Sequence, residues 1–464
     1  MNQSETEIKK RQIKKRVKSS ITTLLLLFTI ILSHAQMRKW TLQECVEYAV
    51  ENNLTIEQYE LDLENAKIDK SDALGNLLPG LNGNSSVSSN TGFSINPTNN
   101  LPTNQTALNV NMGLSSNVTL FDGLRNIHQI NWAKINAIAN QYRLDDLKDD
   151  IRLSVANAYL QVLSNKEQLK TFRAQYAVTE QDLKRTKELV ESGVVPRGDL
   201  LEIEATAATQ QQIVNGEGMV LISRVNLTQL LQITDYENFD IAEEEFLIPP
   251  SDILDNSAKV IFDKALSFRN DIKFSESNVE LAKEDLKIAR GAYYPTVSAF
   301  FQYGTRYSDV TQIPGGNGVP YTPNFTDQLW IFDGISYGAQ LNIPIFNGWS
   351  TRNNVKRSQI SLERAKLQFE QTKLDLETNI QQAYVDVSTF EKAYEAAEKT
   401  LEARRLAYEY AKERYDVGLM NAFDFSQAQA RVDNAQADVI RTKYDYIFRL
   451  KILEFYFGLP ISLN

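Results

Sequence analysis

A chain of 464 residues with one Cys and two His cannot build a disulfide framework or a His/Cys metal cluster, so neither metal nor cofactor is expected. The formal charge is −10, with 42% hydrophobic and 23% charged residues, and so acidic a balance argues against nucleic acid as a partner. No nucleophile elbow, phosphate loop or metal-ligand spacing occurs, so an enzyme is not expected.

Residues 1–35 read as an export signal. Seven Lys and Arg between Lys9 and Lys18 precede the apolar run Ile21 to Leu32, and Ser33-His34-Ala35 supplies a small-x-small triplet. Removing them leaves 42 basic against 57 acidic side chains, a net charge of −15. No later stretch approaches eighteen consecutive apolar residues, so no membrane-spanning helix is expected.

The remaining chain divides into two similar repeats, residues 36–245 and 246–464. The first opens with a helix over 41–51, where Thr41 and Glu44 have capping-box spacing and Cys45 reads as a small apolar-face residue. A second helix spans 56–78. A weaker strand, 81–91, and a turn-rich loop, Ser94 to Thr106, lead to a strong strand, 108–120. There Leu108, Val110, Met112, Leu114, Ser116, Val118 and Leu120 alternate with Asn109, Asn111, Gly113, Ser115, Asn117 and Thr119. Period-two alternation of this length fits a strand with one apolar and one wet face, the pattern of a membrane barrel.

A long helix, 124–192, follows between Gly123 and Gly193 with no internal Gly or Pro, and His128 reads as a surface residue near its start. Val155, Val162, Leu169, Tyr176, Leu183 and Val190 recur every seven residues, the period that keeps one stripe facing a partner helix. A returning helix spans 199–232. The stretch Thr234 to Asn256, with Glu243-Glu244-Glu245 and Pro249-Pro250, reads as a solvated connector.

The second repeat supplies helices 251–267 and 272–292, strands 297–307 and 335–345 joined by a loop from Ser308 to Gln328, a long helix 349–417 and a returning helix 424–456. The last long helix carries two seven-residue rows: Val355, Leu362, Phe369, Leu376, Ala383; and Ile380, Val387, Tyr394, Leu401, Tyr408, Tyr415. An offset of 225 superposes Phe121 on Phe346, Gly123 on Gly348, Gly193 on Gly418, Asp199 on Asp424 and Ala205 on Ala430. An offset of 216 superposes the helix ending Gly75 and Pro79 on that ending Gly291 and Pro295, with nine identities in twenty-four positions against about one or two expected by composition. The chain is an internal duplication.

Four strands cannot close a barrel, and an open edge is not tolerated in lipid. The subunits of an oligomer are therefore expected to share one barrel, with Phe93, Phe325, Trp330, Phe346 and Trp349 near strand ends as interfacial aromatics. An exported coiled-coil stalk or adhesin without a pore is the alternative; it accounts for the long helices but not for the alternating strands.

The doubled order of short helix, Pro-terminated helix, strand pair, Phe-Asp/Asn-Gly, unbroken long helix, and a Gly turn with Asp six residues on resembles the TolC-type outer membrane efflux proteins over nearly all of the chain beyond residue 35. The resemblance implies an α+β membrane protein: duplicated long helical hairpins forming a coiled-coil tunnel in the periplasm, and four strands per subunit in a twelve-stranded barrel shared by a homotrimer in outer-membrane lipid. It implies a passive exit duct of a tripartite efflux or type I secretion system, opened by a periplasmic adaptor and an inner-membrane transporter. Carried over by position, Gly193-Val194 and Gly418-Leu419 resemble the adaptor-contact tips, Asp424 the constriction aspartate, and Asp199 with Tyr415 a pair that holds the mouth shut. Read from the residues alone, both Gly are helix C-caps, Tyr415 is a seam residue, and Asp199 with Glu202 and Asp424 with Gln427 have N-cap spacing. Val190 stands in the first repeat where Tyr415 stands in the second, so such a latch is present in one half only.

Overall fold

A computed structural model describes residues 39–95, 101–208, 210–242, 248, 252–316 and 318–459; the expected signal segment, Glu243-Glu244-Glu245 and Pro249-Pro250 lie outside them. The first repeat contributes β1 (Lys39–Trp40), α1 (Leu42–Asn52), α2 (Leu54–Gly75), β2 (Gly80–Ile95), β3 (Pro102–Phe121), α3 (Arg125–Glu191), α4 (Arg197–Ala207), α5 (Gln210–Leu230) and β4 (Asp240–Ile241). The second contributes a 3-10 turn (Asp252–Asp255), α6 (Ala258–Phe268), α7 (Asn270–Gly291), β5 (Thr296–Ser308), β6 (Ile313–Pro314), β7 (Pro320–Tyr321), α8 (Phe325–Ile331), β8 (Gly334–Asn342), α9 (Ser350–Asp416) and α10 (Ala422–Phe457).

Two compact units cut across these repeats. Among the described residues, one takes 57–147 and 263–378; the other takes those of 39–56, 148–262 and 379–459. Each long helix, α3 and α9, has 67 residues, about 100 Å at 1.5 Å per residue, and begins in the first unit and ends in the second.

The first unit holds a four-stranded antiparallel sheet in the order β2-β3-β5-β8. Its register sets Leu114 beside Gly83 and Tyr303, Ser116 beside Leu81 and Phe301, and Tyr337 beside Phe301. Because side chains alternate between faces, Leu81, Val87, Leu108, Leu114, Leu120, Phe301, Tyr303, Ile335, Tyr337 and Leu341 share one face. The opposite face carries Asn82, Asn84, Asn109, Asn111, Ser115, Gln302, Ser336 and Gln340. Most of the large apolar residues on the first face are exposed, and the outer edges of β2 and β8 have no partner strand among the described residues.

The strand bounds differ from those expected. β2 and β3 pair as far as Ile95 with Pro102, so both ends of the expected Ser94–Thr106 loop are strand and its middle, 96–100, lies outside the described residues, while β8 stops at Asn342 before Pro344. The expected Ser308–Gln328 loop contains the β6/β7 ribbon and leads into α8, which finishes the edge of β5 above its last pairing, Gly304 with Gly334. The fully buried Gln328 does this by imitating a peptide group. Its amide oxygen accepts from Ser308 N at 2.9 Å, and its Nε2 donates to the oxygens of Ser308 at 3.0 Å and Pro323 at 2.9 Å.

In the same unit α7 packs on both long helices. Val279, Ala282, Leu286 and Leu362 form one buried cluster, flanked by Val355 and Phe369 of the expected seam. His128 is no bland surface residue: its Nδ1 lies 2.8 Å from Oε2 of the buried Glu284, whose other oxygen takes Lys287 Nζ at 2.7 Å.

The core of the second unit joins Leu42, Cys45 and Ala49 to Val155, Tyr159 and Val162, Leu227 and Leu231, Phe239 and Ile241, and Tyr444 and Ile447. Tyr159 is pinned there, its hydroxyl within 3.2 Å of the carbonyl oxygens of Trp40 and Ala242, beside the parallel β1/β4 pair. Thr41 caps α1 with Glu44 in a capping box, and burial pushes the Cys45 thiol up to about 12, as suits an inert apolar-face residue. The single returning helix expected over 199–232 is two, α4 ending at Ala207 and α5 starting at Gln210. The helix expected over 251–267 begins only at Ala258, after the 3-10 turn.

Candidate functional site

Both long helices end the same way. Gly193 and Gly418 have φ of 76° and 75°, a left-handed conformation that a side chain disfavours. Gly193 N donates to Val190 O at 3.0 Å and Val194 N to Leu189 O at 2.9 Å; Gly418 N donates to Tyr415 O at 3.0 Å and Leu419 N to Arg414 O at 2.8 Å. These are paired Schellman motifs, so the glycines are helix terminators whatever else they do. A side chain at either would meet open space, so conformation alone selects glycine there. In such motifs the residue after the glycine usually packs back on its own helix; here Val194 and Leu419 are 68% and 70% exposed, with Val417 and Phe423 exposed beside Leu419. The two tips therefore present bare apolar turns.

Asp424 lies one turn further on, at the start of α10, but it is not the N-cap. Asn421 is: its Oδ1 accepts from Asp424 N at 2.8 Å, and its Nδ2 donates to Asp424 Oδ2 at 3.1 Å. Asp424 thus sits third in the helix, exposed, its charge favoured by the helix dipole. Asp199 holds the equivalent place in α4 behind N-cap Pro196, half-buried. The N-cap reading of both aspartates is corrected by three residues, because each helix starts earlier.

Among the described residues no hydrogen bond joins Tyr415 to Asp199. The Tyr415 hydroxyl lies 3.3 Å from Thr186 Oγ1, and its ring stacks on the buried Phe425 at 4.6 Å and 6°. Tyr408 also stacks on Phe425, at 5.6 Å, and Arg185 bonds Asp416 at 2.8 Å. This aromatic stack ties α9 to α10 just behind the second tip.

Around Tyr408 lies a carboxylate group that the sequence reading missed. Burial pushes Asp433 up to about 6. Burial also raises Asp182, with Lys412 and Arg185 opposing the rise and Asp416 adding to it; Asp182 Oδ2 has no hydrogen-bond partner. Tyr408 is pushed up to about 12 by burial and by Asp182, Asp433 and Asp416. A signal for these residues was available: the duplicate positions of Asp182, Asp433 and Tyr408 are Ala407, Ala208 and Leu183, so the cluster is peculiar to one side of the repeat. Among the described residues no group of three or more His, Cys, Asp or Glu could hold a metal ion, and no helix is long and apolar enough to cross a membrane.

Comparison with known proteins places this geometry. The family described as Outer membrane efflux protein matches residues 46–231 and again 261–458. The Probable efflux pump outer membrane protein TtgC of Pseudomonas putida is 25% identical over 315 residues, which take in 62% of this chain but only 56% of that protein's length. The outer membrane protein TolC of Vibrio cholerae is 20% identical over 371 residues, 77% of this chain and 78% of that one. The fold is shared with the outer membrane channel CmeC of Campylobacter jejuni, at a TM-score of 0.78 and 20% identity over 90% of this chain and 85% of that one. It is shared too with the outer membrane protein VceC of Vibrio cholerae, at 0.76 and 16% identity over 91% and 97%. The fold is thus one that solved outer-membrane channels share, and this chain belongs to the outer membrane efflux protein family.

Proposed function

We propose that three copies of this chain form the outer-membrane exit duct of a tripartite efflux or type I secretion system. One observation carries the reading: a sheet with an exposed apolar face and two open edges occurs in the same chain as two 67-residue helices. In lipid, four such strands must close with strands from other copies, and three copies supply the twelve that the family resemblance implies. The polar face then lines the pore and the Leu/Val/Tyr face meets the membrane, while the helices continue the wall into the periplasm.

The bare tips at Gly193-Val194 and Gly418-Leu419 are the contact for a periplasmic adaptor, whose own apolar hairpin ends would cover Val194 and Leu419. Asp424 contributes one carboxylate per copy to a ring at the closed mouth, where like charges near one axis concentrate cations. Tyr415, held by Thr186 and Phe425, and Asp199 restrain the helix ends around that ring. The duct is passive: the inner-membrane transporter supplies the energy and selects the substrate.

The test is to place a charge on the tips. Val194→Asp with Leu419→Asp should abolish efflux in cells while leaving the amount of heat-resistant trimer in the outer membrane unchanged. Undiminished efflux would remove the tips from the adaptor contact.

A further inference from the structure

A cavity lies in the first unit where the end of α7 meets the starts of α3 and α9. Its volume is about 320 Å³, near the lower end of the range that small ligands fill. Ile288, Ala289 and Ala292 of α7 line it with small or apolar side chains, Arg125 comes from α3, and Asn354, Ser358 and Ser361 come from α9. Asp285 completes the lining from α7 itself, so one chain supplies every wall.

The polar groups around this cavity are uncommitted. Among the described residues the side chains of Asn354, Ser358 and Ser361 make no hydrogen bond, whereas Thr372 and Thr378, further along the same helix, donate to the carbonyl oxygens of Gln368 at 2.9 Å and Leu374 at 2.8 Å. Arg125 is held from behind: its Nε donates to Asp122 O at 3.0 Å, and its stem crosses α7 at Gly291, where a methyl would stand 2.4 Å from Cγ. Its terminal nitrogens have no hydrogen-bond partner among the described residues. Asp285 has no ion pair among them either; burial raises its carboxyl, and the indole N–H of Trp132 opposes that rise. At the matching place in the first repeat, the offsets put Ser350 for Arg125 and Ala133 for Ser358, and Ala133 is buried with Ala73 and Ile130. The second repeat thus puts a hydroxyl where the first packs a methyl group, and adds a cation.

A cation and a carboxylate that line one cavity without pairing suit a ligand that carries both charges. Arg125 crosses α7 six residues from Asp285, about 9 Å at 1.5 Å per residue. A charge-assisted hydrogen bond of about 2.8 Å at each end leaves roughly 3–4 Å between the ligand's charged groups, the reach of a two-carbon link. The serine hydroxyls favour an anion with several acceptor oxygens, which a guanidinium grips at two. We propose that this cavity binds a phosphoethanolamine-type zwitterion, its phosphate on Arg125, Ser358 and Ser361 and its ammonium on Asp285. Arg125 lies four residues after Phe121, the end of β3, and Ala292 four before Thr296, the start of β5, so the cavity sits where the helices join the sheet. On the duct reading above, on which this placement rests, that is the edge of the bilayer. A lipid headgroup reaches the site there if this face meets the membrane, and a free solute of the same chemistry reaches it if this face lines the pore.

The test is calorimetric titration of the detergent-solubilised protein with phosphoethanolamine, inorganic phosphate and ethylamine, and with a short-chain phosphatidylethanolamine in mixed micelles. Phosphoethanolamine should bind more tightly than phosphate or ethylamine. Asp285→Asn should weaken phosphoethanolamine by about tenfold or more while leaving phosphate unchanged, and Arg125→Gln should weaken both. Ser358→Leu, which fills the cavity and alters neither charge, should abolish binding with the helical circular dichroism unchanged. Lipid binding at least as tight as that of phosphoethanolamine assigns the headgroup; weaker lipid binding assigns the free solute. A parent protein that binds neither phosphoethanolamine nor the lipid, or Asp285→Asn and Ser358→Leu proteins that bind as the parent does, would overturn the site, and the duct would stand if the same sample conducts. Because one chain supplies every wall, a monomeric parent that binds phosphoethanolamine would overturn the duct and leave the site in place.

Discussion

Asp433 offers the sharpest quantitative prediction. Its carboxyl is raised from the usual 3.8 to about 6 by burial alone, with no positive group to offset the loss of water. A rise of that size corresponds to about 3 kcal/mol of preference for the neutral form, at 1.36 kcal/mol per pH unit. The carboxyl is only partly buried, so solvent screening lowers the expected effect to roughly 1–2 kcal/mol. The folded state binds the proton more tightly than the unfolded one, so ionisation costs nothing below about 4 and its full amount above about 6. Asp433→Asn removes a charge that the fold disfavours. It should therefore stabilise the protein by roughly 1–2 kcal/mol at pH 7.5, raising the thermal midpoint of the detergent-solubilised protein by a few degrees. The gain should shrink as the pH falls through 6 and vanish near pH 4. Differential scanning of both proteins from pH 4 to 8 measures it, and a gain that is absent at pH 7.5, or equal at pH 4 and 7.5, would refute burial as the cause.

Other sites give separate tests. Gly123→Ala should destabilise the fold by several kcal/mol, read as a lower unfolding midpoint, since the added methyl meets the backbone at Gly291 and cannot be relieved by a rotamer. Gly418→Ala meets open space and should cost about 1–2 kcal/mol, the penalty of the left-handed conformation alone, with Gly418→Asn costing less. Gln328→Leu leaves Ser308 N and O unpaired under α8 and should lower stability by roughly 2–3 kcal/mol in chemical denaturation. In planar bilayers, Asp424→Asn should weaken block by multivalent cations, and an unchanged block constant would take Asp424 out of the ring. Tyr415→Phe with Asp199→Ala should raise the resting conductance if the two residues restrain the mouth; wild-type conductance would leave Tyr415 with only its packing on Phe425.

The long helices were legible because nothing between Gly123 and Gly193, or Gly348 and Gly418, interrupts them, and because Val155, Val162, Ile380 and Val387 mark the buried stripe at a fixed period. The strands were legible where alternation was apolar against polar, as from Leu108 to Leu120. The hairpin end was not, because the Asn, Thr, Ser and Gly residues of 88–95 and 102–105 hold their strand conformation through backbone pairing and carry little hydrophobic signal. α4 ends at Ala207 with Ala208 as its C-cap, in a run of Ala and Thr that holds no helix breaker, so the sequence carries no signal for that end. α8 escaped notice because its anchor, Gln328, is polar and works only once β5 offers an unpaired edge. The glycine tips and Asp424 could be found by repeat position. The Asp182/Asp433/Tyr408 cluster could not be read from one helix, since desolvation depends on what the fold lays over each carboxylate; only its alanine duplicates hinted at it.

The most direct measurement of the duct itself is single-channel conductance of the purified, detergent-extracted oligomer in a planar bilayer, compared with Asp424→Asn. A sealed trimeric barrel predicts small, cation-preferring steps that change with the substitution. A folded, trimeric sample that inserts without conducting, or that fails to insert, would contradict a barrel closed by the strands of three chains.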